Sequence, residues 1–150
     1  MADEVEREAD VGVLSALVGY HLRRATNVVA ADFARSLSET GVRQVLFGVL
    51  SVVERNPGIN QGSVGRSLGI QRANMVALVN ELVERGLVDR RVSAEDRRAF
   101  ALSLTDEGKC AYADCLARIR AHEDSVLGDL DTRERKRLIA LLSRIEAKES

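Results

Sequence analysis

The chain has 150 residues, 45% of them hydrophobic and 30% charged, with a net charge of −1; this is the balance of one globular domain, or of a domain with elements that need a partner. Aromatic residues make up 3% and Trp is absent, so Leu, Val, Ile and Ala must fill the core. The acidic start, MADEVEREAD, is not a secretory signal, and the longest near-apolar run, VLFGVLSVV at 45–53, is too short to cross a bilayer, so a cytoplasmic protein is expected.

Residues 11–38 repeat apolar positions at steps of three and four, from Val11, Leu14, Leu17 and Val18 to Val28, Val29 and Phe33. That spacing predicts one long amphipathic helix, ended by Gly41. A second helix is expected over 42–55, stopped by Asn56-Pro57-Gly58, which holds the chain's one proline. Asn60 can cap a short helix over 61–68. Gly69 ends it, and a further helix is predicted over 71–85, with Met75, Val76, Leu78, Val79, Leu82 and Val83 turned inward and Gly86 just past its end. Two helices joined by a tight glycine-containing turn form a helix-turn-helix candidate.

LVDRRVS and AFALSLT then flank AEDRR. The second run alternates, with Phe100, Leu102 and Leu104 on one face, and the pair reads as a two-stranded hairpin. Thr105 can cap a helix reaching about Leu127, with Asp106 and Glu107 in its first turn. Gly128 breaks it. Asp131 with Glu134 has capping-box spacing for a last helix to about Lys148, with Leu138, Ile139, Leu141, Leu142 and Ile145 along its apolar face.

The expected fold is therefore mainly α with a small β-hairpin: a winged helix-turn-helix between long terminal helices. Three regions follow: an N-terminal dimerisation helix in 1–40, the winged helix-turn-helix in 41–105, and C-terminal dimerisation helices in 106–150. The middle region carries nine basic and six acidic residues, a net +3 between acidic ends, as expected for a module that meets a polyanion. The first turn of the 71–85 helix presents Gln71, Arg72 and Asn74. Arg pairs with guanine, and Asn or Gln with adenine, in the major groove of double-stranded DNA. Arg97 and Arg98 at the hairpin tip suit an adjacent minor groove, and Arg90 or Arg91 suits phosphates. Arg85, Arg90 and Arg91 could instead be a solvated face or pair with Glu84 and Asp89. The apolar faces of the first and last helices, too extensive for one small domain to bury, predict a homodimer.

GLVDRR, a short tip ending in DRR, a strand ending in LT and a helix beginning DEG resemble the MarR family of bacterial transcriptional regulators. SVGRSLGIQRANMVALVNELVERGLV is similar to that family's helix-turn-helix, and the resemblance covers nearly the whole chain. It implies a homodimer on a pseudo-palindromic operator, often repressing and often released by a phenolic or aromatic acid bound between the dimerisation and DNA-binding regions. It also implies that Asp96 orients Arg98 into the minor groove. Gln71 departs from the Ser or Thr that the family often has at the start of the recognition helix.

For such a ligand, Tyr20, His21 and Arg24 would form an anion-binding corner, with Phe47 as an apolar contact; otherwise His21 is a satisfied interface residue and Arg24 a surface one. Cys110 and Cys115 stand about 140° apart on one helix and cannot readily bridge. They read as small apolar filler, and a redox-sensing regulator remains an alternative. No enzyme motif, metal-ligand spacing or cofactor loop is found. The other alternative is a winged-helix adaptor that docks protein rather than DNA.

Overall fold

The computed structural model describes residues 9–94 and 100–148. The chain opens with a 3-10 turn at Gly12–Ala16, followed by α1 at Val18–Leu37 and α2 at Gln44–Arg55. β1 is Ile59–Asn60, α3 is Gln61–Ser67 and α4 is Arg72–Glu84. β2 at Val88–Val92 and β3 at Phe100–Leu104 precede α5 at Asp106–Val126 and α6 at Thr132–Glu146.

The expected single helix over 11–38 is broken. Leu17 adopts an extended backbone, φ −96° and ψ 117°, between the 3-10 turn and α1. Gly12 stands at φ 58° with its N–H on Asp10 Oδ1, and His21 Nε2 donates to Ser15 O at 2.9 Å, folding the turn back onto α1. Apolar periodicity survives this break because it records which side is greasy, not whether the backbone is continuous. The hairpin also gains a strand. β1 pairs antiparallel with β3 through Ile59 opposite Leu102, giving the order β1-β3-β2. Two residues are too few to show a period of two.

The core lies beneath the helix-turn-helix. Leu46, Val49, Leu50 and Val53 of α2 pack with Val64, Met75, Val79, Leu82 and Leu102, all essentially inaccessible to solvent. In the turn, Gly69 takes φ 65°, and Ile70 N donates back to Gly65 O at 2.8 Å. A Cβ on Gly65 would stand 3.1 Å from Ile70 O, so this tight approach favours glycine.

Capping follows local chemistry. Asn60 accepts from Ser63 N at 2.8 Å, and Asp131 with Glu134 forms the reciprocal capping box. Thr105 Oγ1 accepts from Gly108 N at 2.9 Å and donates to Gly86 O at 2.6 Å, while Thr105 N donates to Leu87 O at 3.1 Å. The end of α4, the root of β2 and the start of α5 are thus joined at one point. Gly108 makes the junction possible, since a Cβ there would lie 1.9 Å from Leu87 O.

Val76, expected inward on α4, is open, and so is the α6 stripe expected to need a partner. Val76 is 39% exposed and Ile139 is 63% exposed, with Leu138, Leu141 and Ile145 also open. Cys115 is buried in the core as apolar filler, whereas Cys110 is exposed. Among the described residues no helix is long and apolar enough to cross a membrane.

Gly108→Ala should lower stability by about 3 kcal/mol, because the clash is with backbone that cannot rotate away. Urea denaturation checks this; an unchanged midpoint would show that α5 can shift without loss.

Candidate nucleic-acid interface

α4 is anchored by Met75, Val79 and Leu82 in the core, which turns Arg72, Ala73, Asn74 and Ala77 to solvent. Its first turn is therefore free to meet a ligand surface, and the small Ala73 and Ala77 do not obstruct approach. Gln71 occupies the N-cap but its side chain makes no cap hydrogen bond. The first-turn N–H groups of α4 thus lack that partner, and the helix dipole there favours an anion.

A cleft of about 420 Å³ runs between α3, α4 and the start of β3, lined by Asn60, Gln61, Arg66, Arg72, Val76 and Phe100 among others. Arg66 was missed in the sequence because nothing local relates it to Arg72 six residues on; the turn between α3 and α4 brings both to one cleft. Arg66 Nη2 donates to Ser63 Oγ at 2.8 Å. Gln61 holds a buried amide oxygen with no hydrogen-bond partner, an acceptor that a donor entering the cleft would satisfy.

The wing separates its arginines. Arg91 is exposed, with Asp89 at 4.0 Å, a pair of little energetic weight. Arg90 turns toward α4, donating from Nη1 to Asn80 Oδ1 at 2.7 Å and lying 5.0 Å over the Phe100 ring. Arg85 pairs with Glu81 rather than Glu84, and also donates to Gly41 O at 3.0 Å. Asp96, Arg97 and Arg98 lie outside the described residues.

The residues expected around an aromatic acid do not meet within the chain. Tyr20, His21 and Arg24 cluster at the start of α1, where Arg24 Nη1 donates to Tyr20 Oη at 3.4 Å and the Tyr20 and His21 rings stand 5.4 Å apart. Phe47 instead stacks on Tyr112 of α5 at 5.6 Å. A separate cavity of about 320 Å³ lies between the second half of α1 and the start of α2, lined by Phe33, Leu37, Val42 and Arg43 among others. Arg43 also pairs with Glu81 of α4, so one wall of this cavity is tied to the helix of the interface. Among the described residues no three His, Cys, Asp or Glu side chains converge as a metal site.

An anchored helix with an open polar first turn, beside a sheet that carries a basic hairpin, defines a winged helix-turn-helix DNA-binding protein. Known proteins agree. The sequence profile of the MarR family matches residues 42–99. A protein named for transcriptional regulation of the hcr operon of Thauera aromatica is 34% identical over 140 residues, covering 93% of this chain and 84% of that protein. The transcriptional repressor CouR bound to a 23-mer DNA duplex is 36% identical, with a TM-score of 0.83 over 93% of this chain and 99% of that one. CouR bound to p-coumaroyl-CoA is 35% identical, with a TM-score of 0.76 over 95% of this chain and 100% of that one. The chain belongs to the MarR family and is a DNA-binding transcriptional regulator.

Proposed function

We propose that this regulator is a cytoplasmic repressor that holds a pseudo-palindromic operator as a homodimer and leaves it when an aromatic acid or its thioester binds. Its role is binding rather than catalysis. The observation that carries this reading is the exposed first turn of α4, with Arg72 and Asn74 held outward by a buried Met75, Val79 and Leu82 stripe. Gln71, Arg72 and Asn74 read base edges, Arg91 meets phosphate, and Arg98, oriented by Asp96, enters the minor groove.

The dimer is supported by the outer helices. Val18, Val28 and Val29 of α1 and Leu138, Ile139, Leu141 and Ile145 of α6 are open to solvent in the single chain. A second copy that covers both faces removes this apolar surface from water and sets two α4 helices on successive turns of one DNA face. The 1–40 and 106–150 regions then serve dimerisation, and 41–105 serves DNA.

The ligand reading is supported by the Phe33–Arg43 cavity, where apolar side chains suit an aromatic ring and Arg43 suits a polar end. Arg24 lies about 9 Å before Ala30 along α1 and, with Tyr20 and His21, supplies polar groups for the remainder of an extended ligand. The named ligand of the similar CouR structure, p-coumaroyl-CoA, has that composition: a phenolic ring joined to a long anionic carrier.

Operator titration tests the base-reading claim. Arg72→Ala should lose about 1–3 kcal/mol of discrimination per half-site at one base position. Arg91→Ala should weaken all sequences alike and lower the salt slope by about one. An unchanged specificity profile for Arg72→Ala would misplace the recognition helix, and sedimentation finding one chain per operator would sink the dimer.

At the wing, the sign of one substitution decides. Simple electrostatics expects Asp96→Ala to bind operator more tightly, because a carboxylate near phosphates is lost. An orienting role for Arg98 expects weaker binding at fixed salt. Arg98→Ala should weaken it further and flatten preference for flanking A·T pairs.

For the ligand, p-coumaroyl-CoA should release the wild-type operator complex. Arg24→Met should raise the concentration required by roughly tenfold with operator affinity unchanged. An unaltered dose response would remove Arg24 from the site; no release of the wild type would discard this ligand class.

A further inference from the structure

Arg90 is placed differently from its neighbour Arg91. In the β2–β3 pairing Val88 faces Leu104, Arg90 faces Leu102 and Val92 faces Phe100. These residues share one sheet face, where Leu102 is fully buried and Val92 and Phe100 are open. Arg91 lies on the opposite face by the period of two. The Arg90 guanidinium spans the gap at the edge of that packed face. Its Nη1 donates to Oδ1 of Asn80, half-buried on α4, at 2.7 Å, and its plane lies 5.0 Å over Phe100, the first residue of β3. One side chain thus touches the outgoing strand's partner and the recognition helix together.

The need for such a tie follows from the topology. β1 supports β3 only at Leu102 and Ala101. Among the described residues, no third strand pairs at the register of Val92 and Phe100. A two-stranded ribbon twists and swings more freely than a sheet. An arginine fork is suited to resist this, because its planar donors fix a direction while its face packs on a ring.

We propose that Asn80, Arg90 and Phe100 are positioning residues that set the angle of the wing relative to α4. They bring the wing's contact and the base-reading turn of α4 into one register on the operator. Arg90 acts through the wing rather than as a phosphate ligand in its own right. This rests on the reading that α4 and the wing engage the same operator.

The test is a double-mutant cycle on operator affinity with Asn80→Ala, Arg90→Ala and the pair, plus Arg90→Lys. Each protein is titrated against duplexes altered either within the half-sites or at the flanking A·T pairs, with melting temperature as a fold control. Asn80→Ala, which removes no charge, should weaken binding roughly tenfold. It should erase discrimination at the flanks and keep discrimination within the half-sites, a division that general loss of structure would not produce. The pair should bind no more weakly than Arg90→Ala alone, and Arg90→Lys should recover part of the loss. If Asn80→Ala lowers the melting temperature, Phe100→Leu at its open position carries the same expectations. Wild-type affinity for Asn80→Ala, or additive losses in the cycle, would overturn the proposal and return Arg90 to direct phosphate contact. A wild-type protein that binds no operator duplex would overturn the DNA reading itself, and this proposal with it.

Discussion

Everything the interface requires passes through the few ångströms where Leu87 meets α5. The peptide of Leu87 lies against Gly108 so closely that no other residue fits there without movement. Thr105 closes the joint by accepting from Gly108 N, donating to Gly86 O and pairing its own N–H with Leu87 O. Each of these bonds satisfies a backbone group that a helix end or strand root would otherwise leave unpaired. Their joint effect is mechanical. The last turn of α4, the first residues of the wing and the first turn of α5 share one anchor, so neither helix can rotate far without dragging the hairpin.

A second set of ties reaches α4 from the other side. Glu81 receives both Arg43 and Arg85, and Arg85 also donates to Gly41 O, the left-handed residue between α1 and α2. Arg118 of α5 holds Glu39 at 2.9 Å, and hydrogen bonds to Glu39 and then Asp114 push its guanidinium further toward the charged form. Each pair is partly solvated, so none contributes much to stability alone. Their value is geometric: the α1–α2 junction is pinned to α4 and α5 at once. The cavity lined by Phe33, Leu37 and Arg43 opens at that junction.

The charge distribution fits the same division of labour. A net charge of −1 limits non-specific attraction to nucleic acid, while the arginines gathered in 66–98 make binding local and salt-sensitive. The hairpin arginines are not equivalent. Arg91 is solvated and Arg90 is spent on the protein, a distinction that a count of basic residues does not contain.

What the sequence by itself determined is local. The caps at Asn60, Thr105 and Asp131, the turn glycines at 69 and 86 and the ends of α3, α4 and α5 were legible, because each rests on the chemistry of a few adjacent residues. The apolar spacing of Met75, Val79 and Leu82 along α4 was legible too, as was the winged helix-turn-helix order. What only the tertiary structure decided depends on residues distant in the chain. Ile59–Asn60 becomes a strand only because Leu102 is there to pair with it. Phe47 stacks on Tyr112 of α5, while Tyr20, His21 and Arg24 cluster at the start of α1, a division set by how α2 packs on α5. Val76 and the α6 stripe stay open since periodicity gives a helix an apolar side but not a neighbour to cover it. Asn80 and Arg90, ten residues apart, meet only after the chain has turned at Gly86 and laid β2 back along α4. Hydrogen-bond and capping rules act over one turn of chain, whereas burial is decided by which surfaces the whole chain brings together.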